Sequence, residues 1–552
     1  MVIPEVKTSK NTYYILLFVL GLILIFPVID TKIIPGHDHI FQISRIEAVA
    51  EALKQGVFPV RMYVDQVQFW GAPTGIFYPG LFSYFPAILK ILGIPIEICY
   101  NIFIASIIYA GLFASWYGFS LLTRSKHIGM LSTVLYISSG YYLFCAHMRN
   151  ALGELIALSF MPLAIASITY IINKTKVTVK VYLFAILSIS AIIESHVLNS
   201  VFLALFSICY FITRYKKITL LKLKKLSFGA LSLFLLNASF VVPFLLFYKE
   251  VPLNVHFIDD FSKSGFKLTM LICFLIYWNS WMIIALYVFL SRYFYGAKQP
   301  FYTYEHFKYY GWYFLLGVFF VFASSNAFPW DFLPQLREVF KVMQFSWRFL
   351  GPAFLFLSIC GGFGLYLLLK KANLNQNKII VLSFLVCLFH LFTFTYLTPL
   401  KFYGNWDMYE KRYWIRKPFF SDEDYLYRDM DVTVLYKQGN NYLTEAKITN
   451  WKKSLTDISF AYETESHDTI ITLPLINYPG YIAIDQTGKS IPITENENHM
   501  MVIHLPNGNG TISIQFNPKL FRAADVISLI TIAMLVYKLG CLHYRKEWNK
   551  LL

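Results

Sequence analysis

Twelve mostly apolar segments recur along this chain of 552 residues, each close to the roughly 20 residues a helix needs to cross a bilayer. They fall at about residues 12–29, 97–122, 128–145, 154–173, 181–195, 197–213, 226–247, 267–291, 309–324, 349–369, 378–398 and 522–541. A helix satisfies its own backbone polar groups, so such segments predict an all-α polytopic membrane protein. The first, Thr12 to Val28, lacks a small-x-small cleavage site and reads as a retained span. Only 14% of residues are charged, against roughly 25% in soluble domains. The net charge of +16 does not imply nucleic acid, because the basic residues gather at the ends of the apolar segments. The seven cysteines lie in or beside those segments, with no disulfide or zinc spacing.

An even number of spans puts both termini on one side of the cell membrane. The short loops on that side carry Arg124 and Lys126; Lys174, Lys176 and Lys180; Arg214, Lys216, Lys217, Lys222, Lys224 and Lys225; and Lys370, Lys371 and Lys378. The tail adds Lys538, Arg545, Lys546 and Lys550, so this side is expected to be cytoplasmic. Residues 30–96, 146–153, 248–266, 325–348 and 399–521 then face outward. Three parts are expected: a transmembrane domain over 1–398 with a long first outer loop at 30–96, an extracytoplasmic, mainly β domain over 399–521, and a last helix with a basic tail over 522–552. In the first outer loop Asp38 can cap a helix that Gly56 ends. Ile40, Ile43, Ile46, Val49, Ala50 and Leu53 form its apolar stripe, while Arg45, Glu47, Glu51 and Lys54 point away. This predicts a helix in the membrane interface, followed by a headgroup-level Pro/Gly/aromatic stretch from Phe69 to Pro86. Residues 440–519 alternate in short runs, such as Asp468–Leu473 and Met500–Leu505, divided by turns including Asn507–Gly510.

Four outward-facing motifs carry ionisable groups. In Gly36-His37-Asp38-His39 the carboxylate can take a proton from an acceptor hydroxyl or simply cap the helix. His37, Asp38 and His39 make a poor metal set, since consecutive residues point in different directions. Arg149 and Glu154 are either functional or a structural ion pair. Glu194-Ser195-His196 sits in a tight turn, where the histidine is either a satisfied structural group or a proton carrier. In Gln344-Phe345-Ser346-Trp347-Arg348, the arginine can bind a phosphate and Trp347 can pack on lipid or sugar, or both can anchor the interface. Asp259 and Asp260 read as solvated. No GxxxxGK[ST] loop or His-Glu-x-x-His helix is present.

The order Pro35-Gly36-His37-Asp38, Leu53 to Pro59, Trp70-Gly71-Ala72-Pro73 and Phe77-Tyr78-Pro79-Gly80 resembles the long first outer loop of C-type (GT-C) membrane glycosyltransferases. With Tyr141–Glu154, Gln344–Phe349, Asp424-Tyr425-Leu426 and Leu473–Tyr481, the chain resembles the bacterial YfhO-type (pyruvoyl-tetrahydropterin-synthase-related) membrane family along nearly its whole length. No motif supports the pterin name. The chain departs from that family at Ser346 and Tyr427, where prolines are common.

The resemblance implies a GT-C-like fold and sugar transfer from a polyprenyl-phosphate donor to an extracytoplasmic cell-envelope glycopolymer or glycolipid. It places the catalytic base at Asp38. Arg348 and Arg149 are then the cations for the leaving phosphate, with Glu154 holding Arg149. Gln344, His37, His39 and His196 are further candidates for the substrate site, and Tyr78, Trp347 and Tyr481 would flank sugar or lipid. The scheme requires no metal and no cofactor besides the lipid-linked donor. Two other classes fit the same features. One is a transporter or flippase with Glu194 and His196 in a proton path; the other is a scaffold of an envelope assembly complex that docks through the β domain.

Overall fold

The computed structural model describes residues 10–29, 36–63, 70–252, 264–295, 304–332, 343–372, 375–397, 425–439, 441–454, 457–466, 469–517 and 519–551. Pro35, Asp259, Asp260, Asp424 and Asp468 lie outside the described residues. The chain is a mainly helical, multi-pass membrane protein with a small β domain before its last helix.

Helices occupy all twelve expected apolar segments among the described residues, but the crossings are not alike. Five helices are long and apolar enough to span a membrane: Ile96–Thr123, Leu152–Asn173, Ser346–Lys371, Asn377–Phe394 and Lys519–Cys541. Counting three bent pairs as spans gives up to eight. The expected dozen exceeds this because a hydropathy reading does not register breaks and length together. Asn11–Leu24, Val179–Ile193, Val197–Thr213 and Phe307–Ala323 are shorter apolar helices. Lys126–Ile137 and Gly140–Arg149 meet at 48°, and Leu220–Leu236 and Ala238–Glu250 at 78°. At the first break Ser138 Oγ turns back to Val134 O at 2.6 Å, and the Ser139 hydroxyl accepts from Tyr142 N–H at 3.4 Å. These side chains compete for backbone groups and restart the helix.

The chain divides into two compact units: residues 1–42, 92–223 and 256–409, and residues 43–91, 224–255 and 410–552. In the first, 94% of the membrane-length window of Ser346–Lys371 is buried. This helix packs against Lys126–Ile137, Ser280–Tyr295 and Tyr304–Ala323. Ile96–Thr123 packs on Leu152–Asn173, and a Cβ on Gly118 would lie 2.5 Å from the backbone of Pro162. A small residue there permits the close approach that membrane helices favour.

The second unit contains two antiparallel sheets. With β1 Leu443–Thr444, β2 Lys447–Lys453, β3 Asp457–Thr464, β4 Ile470–Ile476, β5 Tyr481–Asp485, β6 Ser490–Ile491, β7 Ile493–Glu495, β8 Met500–His504 and β9 Gly508–Phe516, the orders are β1-β4-β8-β7 and β2-β3-β9-β5-β6. Ile458, Phe460, Ile512 and Ile514 of one sheet share a buried core with Ile471, Leu473, Met501 and Ile503 of the other. Alternate positions supply each face, as the pleat requires. The expected turn at Asn507–Gly510 is shorter: Gly508, Asn509 and Gly510 pair with Thr464, Glu463 and Tyr462. A Cβ on Gly510 would meet Tyr462 Oη at 2.9 Å, so the glycine makes room for the ring across the ladder.

Two readings of the first outer loop are corrected. The helix His39–Lys54 is solvated over less of its surface than expected: Glu51 and Lys54 are exposed, but Arg45, with Gln42 and Ser44, is buried as deeply as Ile43 and Ile46. Arg45 donates to Pro79 O at 2.6 Å and lies 4.2 Å from the Tyr78 ring centroid. A stripe count misses this because hydrogen bonds and ring contacts let a polar face be buried. Likewise Trp70, Ala72, Ile76 and Phe77 belong to a buried cluster with Phe247, Leu426, Tyr427, Tyr478, Met500 and Phe521, rather than to a headgroup belt. In the same unit Arg61 pairs with Asp525 at 2.6 Å, and Ser239 Oγ donates to Asp525 at 2.5 Å. The last helix is thereby tied to the segment after His39–Lys54.

Candidate functional site

The site lies within the first unit and starts from an irregular turn. After Gly140–Leu143 the chain runs through a wide π-type turn, Phe144–Arg149, and Asn150 then takes a left-handed φ of 58°. Such turns are recurrent at functional sites. Here the turn brings Arg149 back toward Leu152–Asn173, whose first turn carries Glu154. Residues 36–38 dock on the same turn: His37 N–H donates to Met148 O at 3.3 Å and Asp38 N–H to Arg149 O at 2.8 Å. A Cβ on Gly36 would meet Met148 O at 2.7 Å, so only glycine allows that approach.

Arg149 is held on three sides. Its Nη1 lies 2.7 Å from Glu154 Oε2, its Nη2 3.5 Å from Asp38 Oδ2, and its guanidinium carbon 4.6 Å from the Trp347 ring centroid. Tyr141 donates its hydroxyl to Glu154 Oε1 at 2.5 Å. The Arg149 and Glu154 side chains are 8% and 3% exposed, whereas Asp38 keeps 37% of its side-chain surface. Asp38 is thus the carboxylate of the cluster that a ligand can reach. Although its edge is open, dense protein around it removes solvent. This burial raises its carboxyl above the ordinary range, against the lowering pull of Arg149 and Arg348.

Arg348 is a second cation acting on the same carboxylates, Asp38 and Glu154. It donates to Gln344 Oε1 at 2.9 Å, and Gln344 itself sits at a left-handed φ of 62°. Arg348 Nε is buried without a hydrogen-bond partner among the described residues. His196 caps Val197–Thr213, its Nδ1 accepting from Asn199 N–H at 3.4 Å. Burial pushes the His196 imidazole down to about 4, so it is neutral near pH 7. With Nδ1 as acceptor, its proton resides on Nε2.

The sequence candidates therefore separate. Asp38, Arg149, Glu154, Trp347, Arg348 and Gln344 come together through these contacts, and the charges of Glu154 and both arginines act on the neutral His196. His37 is exposed and packs edge-on to Phe144, while His39 is buried and bonds Gly36 O through Nδ1 at 2.5 Å. Tyr78 and Tyr481 belong to the second unit, where Tyr78 covers Arg45 and Tyr481 packs on Phe516 at 5.2 Å. Sequence reasoning missed the role of Tyr141. Its spacing from Glu154 matches no helical period, and only the π-type turn makes the pairing possible. Among the described residues no group of three or more His, Cys, Asp or Glu is arranged to hold a metal.

Glu194, in the turn before His196, is pushed up to about 8 by burial. Its folded-state value lies above the unfolded value of about 4.3, so the folded protein binds the extra proton between them. Stability from this group is full below the unfolded value and is lost as pH rises through about 8. Glu194→Gln is expected to flatten the fall in Tm between pH 5 and 8. An unchanged slope in thermal melts of the purified protein would remove Glu194 as its source.

No protein-family model matches the sequence, so the YfhO-type resemblance rests on its motifs alone. No curated protein matches it either. Among solved structures, the chain is similar to the arabinofuranosyltransferase AftD from Mycobacteria, at 14% identity and a TM-score of 0.45, over 72% of this chain and 27% of that one. It is similar to ArnT from Cupriavidus metallidurans, solved bound to undecaprenyl phosphate, at 13% identity and 0.40, over 65% of this chain and 60% of that one. It is also similar to the Archaeoglobus fulgidus oligosaccharyltransferase, at 12% identity and 0.37, over 74% of this chain and 58% of that one. The chain thus spans about a quarter of AftD and three fifths of the other two. These are membrane glycosyltransferases, and at such distances the likeness assigns neither fold family nor activity.

Proposed function

We propose that this chain is a GT-C-type glycosyltransferase that moves a sugar from a polyprenyl-phosphate donor to an extracytoplasmic envelope glycopolymer or glycolipid, with its termini in the cytoplasm. The observation that carries this reading is one reachable carboxylate, Asp38, set against a buried Arg149–Glu154 pair and within the field of Arg348, whose Nε has no partner among the described residues. The order of sequence motifs supports the same reading.

Chemically, the acceptor oxygen attacks the anomeric carbon, and the bond from that carbon to the phosphate oxygen breaks. Asp38 takes the acceptor proton and becomes neutral while the departing phosphate gains one negative charge. The two changes cooperate. As the carboxylate is neutralised, the field of Arg348 that it had attracted is available to the phosphate. Arg149 is committed to Glu154 and capped by Trp347, so its role is to hold Asp38 in place. Arg348 is the cation for the leaving group, and His196 Nε2–H is a neutral donor for the phosphate or sugar.

The test is transfer of labelled sugar from purified carrier lipid in reconstituted vesicles. Arg348→Ala is expected to weaken donor binding and lower turnover by about 10²–10³-fold, with Arg348→Lys recovering part of the loss. Unchanged kinetics in the alanine variant would remove Arg348 from the site. Movement of intact labelled lipid across the bilayer, without cleavage under any donor and acceptor, would replace transfer by transport.

A further inference from the structure

At the opposite end of several helices of the first unit, three loops bring cations together. Lys222 Nζ donates to Ile172 O at 2.9 Å, and Asn173 Nδ2 donates to Tyr210 Oη at 2.5 Å. The segment after Asn173, with Lys174 and Lys176, is thus held beside the one after Thr213, with Arg214, Lys216, Lys217 and Lys222. Arg124 joins them: its charge and that of Arg214 both act on the Tyr309 hydroxyl, which donates to Leu122 O at 2.9 Å. Seven cations therefore converge, while the whole stretch between Glu97 and Glu250 contains only two carboxylates, Glu154 and Glu194. Both sit at the far ends of their helices.

Apolar side chains stand exposed beside these cations: Ile212 and Tyr215 at 61%, Leu220 at 70% and Leu221 at 64%. A soluble polyanion has no use for them, whereas a phospholipid presents a charged head above acyl chains. We propose that this loop cluster is a binding surface for anionic phospholipid headgroups, with Arg214, Lys216 and Lys217 as its exposed contacts and Ile212, Leu220 and Leu221 against the chains. The sequence pattern alone indicates only which side each loop faces. What the structure adds is the convergence of separate loops into one patch whose seven cations form no ion pair among the described residues. The surface is independent of the sugar-transfer site.

The full-length protein, purified in mild detergent, can be titrated with phosphatidylglycerol or phosphatidylcholine and its retained lipids counted by native mass spectrometry. Phosphatidylglycerol is expected to be retained at least about tenfold more strongly than phosphatidylcholine, and less so in 0.5 M salt, because basic residues attract the anionic headgroup and salt screens that attraction. The triple substitution Arg214→Gln, Lys216→Gln and Lys217→Gln should abolish the preference. Lys447→Gln, Lys452→Gln and Lys489→Gln in the β domain, which remove the same charge, should leave it intact. Lys222 is left unchanged because it joins the loops, and equal melting temperatures of the two variants establish that both fold. Equal retention of the two lipids by the unsubstituted protein overturns the proposal, as does equal loss of preference in both variants. Displacement of the lipid by millimolar inorganic phosphate would assign the patch to a free anion instead.

Discussion

Asp38→Asn is expected to abolish sugar transfer, by about 10²–10⁴-fold, with near-normal protein level and donor binding. Asparagine retains the size of aspartate and serves equally at the start of a helix, so His39–Lys54 still begins at the same place. The main-chain bond from residue 38 to Arg149 O is also untouched. What is lost is the group that accepts the proton. Because burial raises this carboxyl above its ordinary value, the acid limb of kcat/KM in the unsubstituted enzyme should lie above the usual carboxylate range. Activity falls as Asp38 protonates with decreasing pH, and any residual rate of the Asn variant should lack that limb. Full transfer by the Asn variant would place the base elsewhere, and a matching fall in protein level would make the residue a cap.

Glu154→Ala should act on folding instead. It leaves the Arg149 guanidinium, 8% exposed, with the Trp347 ring and the longer 3.5 Å contact to Asp38, and removing one member of a buried pair costs about 3–5 kcal/mol. It also takes away the acceptor of the Tyr141 hydroxyl. The expected result is a large drop in Tm and in the yield of folded protein. Replacing both members, as Arg149→Met with Glu154→Leu, should restore much of the stability but little transfer, since Asp38 then loses the guanidinium that holds it. Normal melting of the Glu154→Ala protein would mean that the pair contributes nothing to stability.

Much of this architecture was legible from local chemistry. Apolar length marked the positions of the helices, and period-two alternation marked the strands of the β domain. Asp38, Arg149, Glu154 and Arg348 stood out because charged groups beside apolar segments need a reason to be there. The resemblance implied that they share a site, but the contacts that bring Arg149 to Asp38 and Trp347 depend on an irregular turn whose hydrogen bonds leave no periodic trace. The same limit applies to Arg45: at its position in His39–Lys54 the residue type suggested solvent, but Pro79 O and the Tyr78 ring receive it in the interior. Bent pairs were invisible for a related reason. Ser138, Ser139 and Asn279 are ordinary polar residues in apolar surroundings until their bonds show that the helix restarts, as when Asn279 Oδ1 accepts from Gly140 N–H at 2.9 Å.

The wide turn at Phe144–Arg149 also makes the site dependent on counting. Each residue of an ordinary helix turns the chain by about 100°, and the π-type turn holds one more residue than an α-turn would. Deleting any one residue between Phe144 and Met148 would let the segment relax to α geometry and swing Arg149 away from Glu154 and Asp38, although every side chain of the site survived. A residue added in the exposed segment around Thr175 to Thr178 faces no such constraint. Through evolution or engineering, this chain should therefore tolerate changes of length between its helices far better than within this single turn.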